Sequence, residues 1–180
     1  NETLKVASDK MTLLAVDGSD IQIPTNPEDE ESYFPGINGR KGYNLLHLNA
    51  FYDLKHHIYT DALIQKRMDY NEHQALQQMV DHSEIDKALV IADRGYESYN
   101  NIANKQKKGW FFLIRIKDGD HGIKKGLDLP ETDEYDINIS LKLTRRQTKE
   151  TKEFFNDRNH YKFVPATTTF DYLPVKNAKH

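Results

Sequence analysis

Cysteine is absent from all 180 residues, which excludes disulfides and thiolate metal sites and accords with a reducing compartment. Also missing is any apolar run near the roughly 20 residues that a membrane-spanning helix needs. The opening residues, Asn1-Glu2-Thr3-Leu4-Lys5, lack the charged-then-apolar pattern of a signal peptide. There is no basic excess either. With 25 Lys and Arg against 28 Asp and Glu, the net charge is −3, so no global positive field drives nucleic-acid binding. Basic groups confined to one face would not show in that balance, and an acidic metal site would lower it. An apolar share of 37% and a mean hydropathy of −0.80 fit a soluble globular domain, or one domain carrying an insertion. The expectation is a cytoplasmic, soluble protein with no membrane partner. The chain opens without methionine and runs out at Asp171 to His180 with no closing element, which reads as a piece of a longer protein.

Leu13 to Val16 is a short apolar run that meets Asp17-Gly18-Ser19-Asp20 and then the alternating Ile21-Gln22-Ile23, a strand whose middle carries acidic groups. Asn26 to Arg40, with Pro27, Pro35, Gly36 and Gly39, reads as a surface loop. Tyr43 to Tyr52 and Ile58 to Ile64 read as two further strands joined by a turn, and three successive strands suggest an antiparallel meander. The period then changes. Asn71 caps a helix, with Gln74 three residues on and an apolar stripe of Ala75, Leu76, Met79 and Val80. Ala88 to Ala92 has the continuous apolar character of a central strand. A second helix places Tyr99, Ile102, Ala103 and Gln106 along one side and ends at Gly109, and Trp110 to Ile116 reads as another buried strand. This order predicts an α/β fold, a mixed sheet with helices packed on it. After Lys117 the texture shifts to Gly119, Gly122 and Gly126 with scattered charges. Ile137 to Leu143 predicts one half-exposed strand, and Phe163 to Phe170 another short one. The expected division is residues 1–117 and 118–180, with a soft boundary near Asp118.

Two carboxylates stand out by position. Asp17 follows Leu13-Leu14-Ala15-Val16, and Asp93 follows Leu89-Val90-Ile91-Ala92. A charged carboxylate in or beside a buried strand is costly unless paired or bound to a cation. If the two strands are neighbours, the carboxylates converge into a hard-oxygen site suited to Mg²⁺ or Mn²⁺. The other reading is that each is a turn former, since Asp-Gly and Asp-Arg-Gly both favour turns. Residue types and spacing leave both readings open.

A resemblance carries the matter further. Leu14-Ala15-Val16-Asp17-Gly18-Ser19-Asp20-Ile21 resembles the first catalytic motif of insertion-sequence DDE transposases, on the first strand of their RNase H-like core. Lys41 to Asp53 (Lys-Gly-Tyr-Asn-Leu-Leu-His-Leu-Asn-Ala-Phe-Tyr-Asp) resembles their second strand, and Val90-Ile91-Ala92-Asp93-Arg94-Gly95-Tyr96 is similar to the motif around their second catalytic aspartate. The similarity runs from Leu13 to Lys117, with the motifs in family order, and is nearest to the insertion-sequence-four group, whose third motif runs Tyr, Arg, Glu, Lys. It implies an RNase H-like mixed sheet flanked by helices, with 118–180 as the start of a β-rich insertion. It also implies Asp17 and Asp93 as catalytic, metal-binding residues for two Mg²⁺ or Mn²⁺ ions. Double-stranded DNA, as transposon ends and target, becomes the expected partner in a bacterial cytoplasm, and a homodimer the expected assembly of the intact protein. The family's third carboxylate, a Glu beyond the insertion, has no counterpart here, so this stretch is expected to bind metal weakly and not to catalyse transposition alone.

Two alternatives share these motifs: an RNase H-like nuclease that only hydrolyses, and a transposase-derived DNA-binding or assembly module without activity. Arg40, Lys41 and Arg94 are candidate phosphate contacts. Lys105, Lys107, Lys108, Arg145, Arg146 and Lys149 are candidates for a wider DNA track, set against the commoner role of a solvated charged face. His56 and His57 beside Asp53 invite a zinc site, but adjacent strand residues point to opposite faces and chelate one ion poorly. His47 reads as a hydrogen-bonded core histidine, and Trp110, Phe111 and Phe112 as core rather than a stacking platform.

Overall fold

The computed structural model describes residues 10–117, 122–146, 148–149 and 153–173, which divide into two compact units. The expected boundary residue Asp118, and also Gly119 and Lys152, lie outside the described residues.

The first unit, Asn1–Glu97 with Asn101–Arg115, holds one six-stranded mixed sheet and two helices. Its strands are β1 (Thr12–Ile23), β2 (Tyr33–Phe34), β3 (Tyr43–Asp53), β4 (Ile58–Lys66), β5 (Ala88–Ala92) and β6 (Phe111–Ile114). Order across the sheet is β2-β3-β1-β5-β6, with β4 also on β3. β1, β3 and β4 form the antiparallel meander expected of them, whereas β5 and β6 run parallel to β1. The expected α/β architecture is therefore present.

Helix α1 (Glu72–His82) begins where the sequence places it. The Asn71 side chain accepts the Gln74 N–H, and Ala75, Leu76, Met79 and Val80 are all fully buried. With Leu14 and Val16 of β1, Phe51 of β3, Val90 of β5, Tyr96 and Trp110 they make the core. Gly109 closes α2 (Tyr99–Lys108) at φ +79°, a left-handed conformation that favours glycine.

The buried side of α2 differs from the expected one. Asn101, Asn104 and Lys105 are buried, while Gln106 is exposed and Ile102 and Ala103 only partly covered. The reason is a polar seam against α1. Asn101 donates to His73 Nδ1 and to Tyr96 O, Gln77 donates to Asn101 Oδ1, and Asn104 donates to Asp81. Satisfied polar groups can line such an interface, and hydrophobicity alone does not locate it.

A second difference concerns β6. It is four residues long, not the Trp110–Ile116 span expected, and it is a sheet edge, not a buried strand. Trp110 is core, but Phe111 is 58% exposed and Leu113 59% exposed. Alternation along the strands explains this. Leu14, Val16, Ala88 and Val90 face the helices; Leu13, Ala15, Leu89, Ile91, Phe111 and Leu113 face the other way. On that second face Leu13, Ala15, Leu89 and Ile91 are partly covered, while Phe111 and Leu113 at the edge are exposed.

The second unit, Ser98–Asn100 with Ile116–His180, holds a two-stranded parallel sheet of β7 (Lys142–Thr144) and β8 (Tyr161–Phe163). β7 covers only the end of the alternating Ile137–Leu143 segment, and β8 stops where the expected Phe163–Phe170 strand would start. The segment after β8 is instead gathered around Arg145, whose guanidinium donates to the carbonyls of Pro165, Thr168, Phe170 and Leu173. Arg145 is thus committed to structure and not to a DNA track. Lys105 leaves that track as well, since it is fully buried.

Candidate active site

The turn reading of Asp17 fails, because β1 continues without a break to Ile23. β1 and β5 are neighbours and parallel, with Leu14 opposite Val90 and Ala15 opposite Ile91. The same offset carried two residues further sets Asp17 opposite Asp93. Asp17 has the parity of Leu13 and Ala15, so its side chain lies on the sheet face away from the helices. Asp93 keeps extended backbone (φ −78°, ψ −179°) just past β5 and continues the parity of Leu89 and Ile91. The two carboxylates therefore sit at one level on one face.

Each is held by a glycine. The Gly18 N–H donates to Asp17 Oδ1 at 2.9 Å, and the Gly95 N–H donates to Asp93 Oδ1 at 2.7 Å. Side chains at these glycines would collide with the site. A Cβ at Gly18 would lie 2.4 Å from Glu72 Oε1 and 2.6 Å from His47 Nε2, and one at Gly95 would lie 2.9 Å from Asp93 Oδ1. Both aspartates are exposed, so the burial cost expected of a carboxylate beside a buried strand does not operate here. What distinguishes them is register and orientation. Exposed hard oxygens suit a divalent ion that keeps part of its water shell. Among the described residues no group of three or more His, Asp or Glu could hold an ion.

Beneath this face, Tyr96 closes the turn that Asp93 begins, its N–H donating to the Asp93 carbonyl at 3.2 Å. Its hydroxyl is buried and has no hydrogen-bond partner among the described residues. Burial pushes that hydroxyl's pKa well up, and the negative charges of Glu72, Asp17 and Asp93 push it further.

On the helix side, His47 of β3 is 5% exposed, the packed core histidine expected, and both its ring nitrogens face carboxylates. Nδ1 lies 2.7 Å from Asp20 Oδ1 and Nε2 lies 3.0 Å from Glu72 Oε1. Arg67 Nε donates to Asp20 Oδ2 at 2.8 Å, and Tyr70 packs against both the His47 ring and the Arg67 guanidinium. The His47 bond, with Arg67 behind it, holds the Asp20 carboxyl below the usual range. Sequence reasoning did not single out Glu72 at all. The only local signal was Gly18 in mid-strand, since an interior glycine marks close approach of another group.

The remaining candidates disperse. Arg40 and Lys41 are exposed in the β2–β3 loop, and Arg94 is exposed beside Asp93. His56 and His57 lie in the β3–β4 turn and not on a strand; His56 Nδ1 is 2.7 Å from Asp53 Oδ2, and His57 has φ +57°. Asp53 also accepts the Lys55 and His56 amides, so it is the turn's organiser. Among the described residues no helix is long and apolar enough to cross a membrane.

A mixed sheet with one aspartate in the middle of its central strand and a second, level with it, just past the neighbouring parallel strand defines an α/β domain of RNase H-like type. The chain belongs to the Transposase DDE domain family, which it matches over residues 8–173. No curated protein and no solved structure matches it.

Proposed function

We propose that this chain supplies catalytic carboxylates of a cut-and-paste DNA transposase of the insertion-sequence-four group, with Asp17 and Asp93 binding divalent metal. The observation that carries the reading is the β1–β5 register, which sets the two aspartates side by side with one oxygen of each tied to a glycine amide. Mg²⁺ or Mn²⁺ bound there, two ions in the intact enzyme, would supply Lewis-acid activation of the attacking and leaving oxygens in phosphoryl transfer. The chain's own part is to hold the carboxylates rigidly on a sheet. Arg94, beside Asp93, and Arg40 and Lys41 in the β2–β3 loop are our candidates for backbone phosphates of double-stranded DNA.

With two carboxylates and no third among the described residues, the stretch binds metal weakly and does not catalyse strand transfer alone. The sheet face on which both aspartates lie is where an element bearing a third acid belongs. The intact protein would act in a bacterial cytoplasm, as a dimer on paired ends.

Manganese titration followed by electron paramagnetic resonance tests the site. We expect binding by the wild type, loss of binding in Asp17→Asn and Asp93→Asn, and thermal stability nearly unchanged in both. Binding that survives both substitutions, or none in the wild type, overturns the assignment. A joining assay with pre-cut ends on the intact protein separates a transposase, which yields strand-transfer product, from a nuclease, which yields only nicks.

A further inference from the structure

We infer that Glu72, His47 and Asp20 form a clamp that positions Asp17 from the opposite side of the sheet; the inference rests on the metal site proposed above. None of the three shares a face with the aspartate pair. Their link to it is Gly18. Glu72 Oε1 and His47 Nε2 come so close to the Gly18 Cα that a Cβ there would fall within 2.6 Å of both. The N–H of that same glycine orients Asp17 Oδ1. A displacement of the clamp therefore moves the peptide that holds the metal ligand.

Three features make the clamp stiff. The imidazole lies between two carboxylates, with Nδ1 2.7 Å from Asp20 Oδ1 and Nε2 3.0 Å from Glu72 Oε1. The ring is 5% exposed and its face is covered by Tyr70, at 4.3 Å between centroids. Finally, the three groups tie three elements together, β1 through Asp20, β3 through His47 and the first turn of α1 through Glu72. Arg67 occupies the second oxygen of Asp20, which fixes that carboxylate's rotation. Charge-assisted hydrogen bonds of this kind are short and directional, as the 2.8 Å Arg67–Asp20 contact is. Glu72 and His47 are thus positioning residues, acting through Gly18 on Asp17, and neither is a ligand.

The test is the same manganese titration applied to Glu72→Gln and His47→Gln, with Asp61→Asn as a control. Asp61 pairs with His82 at 2.6 Å, joining β4 to the far end of α1, and so ties the same helix to the sheet away from the site. We expect Glu72→Gln to weaken manganese binding about tenfold, the lower end of what groups behind metal ligands contribute. Asp61→Asn should leave the affinity unchanged at a similar loss of thermal stability. Glu72→Gln keeps the shape of the side chain, so it remains informative if His47→Gln does not fold. Unchanged affinity in a folded Glu72→Gln overturns the clamp and leaves the metal site standing. Wild-type protein that binds no manganese, or binding indifferent to Asp93→Asn, removes the site and the clamp together.

Discussion

Replacing Lys105 by methionine should make this protein more stable, although it removes a hydrogen bond. Lys105 on α2 is fully buried, its ammonium donating to the Asn101 carbonyl at 3.2 Å. Burial lowers its pKa from 10.5 to about 7, against the opposing attraction of Asp81. That difference of about 3.5 units corresponds to about 5 kcal/mol at 1.36 kcal/mol per unit. The sign follows from proton counting. Between about pH 7 and pH 10.5 the unfolded chain binds a proton that the folded chain does not, so stability rises with pH across that window. Below it both states are charged, and the folded protein carries the whole cost of a buried ammonium. Methionine matches the volume and bears no charge. After about 1 kcal/mol for the lost hydrogen bond and as much for the weakened surroundings of Asp81, Lys105→Met should gain about 3 kcal/mol near pH 6. Near pH 10 the advantage should vanish and reverse by about 1 kcal/mol, because the wild type has by then shed its proton and keeps its hydrogen bond. Urea denaturation at both pH values measures this, with Trp110 as the probe: it is the sole tryptophan and sits in the core. A variant less stable than wild type near pH 6, or a gap that does not change with pH, would refute the reasoning.

Two further outcomes concern local structure. Asn71→Ala removes the side chain that accepts the Gln74 amide at the start of α1 and should cost about 1 kcal/mol in the same urea experiment, whereas Asn71→Ser should recover most of it. In the second unit, Arg145→Lys should fail to replace arginine. One ammonium cannot span carbonyls from Pro165 to Leu173, so limited proteolysis with mass spectrometry should show earlier cleavage within 165–173 than in wild type.

The parts of this fold that could be read from sequence are those whose cause is local. Asn71 and the stripe from Ala75 to Val80 specify a capped amphipathic helix within a dozen residues, and that helix is where they place it. The apolar run Ala88–Ala92 likewise predicts a central strand. The polar seam of α2 was not readable, because Asn101, Asn104 and Lys105 have the composition of a solvated face. Only their partners on α1, His73, Gln77 and Asp81, turn them inward. β6 departs from expectation for a related reason: Phe111 and Leu113 are as apolar as core residues, yet both stand more than half exposed on an edge strand. At the candidate site, position after apolar runs singles out Asp17 and Asp93, while their exposure removes the argument from burial. His47 was recognised as buried, but its partners Asp20 and Glu72 are far from it in sequence, and no spacing rule joins them.

The β1–β5 pairing has a consequence for the order of assembly. β1 meets β3 across a loop, and β3 meets β4 across a tight turn, so the meander can form from nearby segments. β5 can reach β1 only after the whole meander and α1 have been laid down between them. Such a long closure carries a large entropy cost and is made late, when the surface that receives the strand already exists. Asp17 stands on one strand of that closure and Asp93 just past the end of the other. The pair is therefore absent from every partly folded form in which β5 is undocked, and a chain caught midway has one aspartate on finished sheet and the other on loose polypeptide.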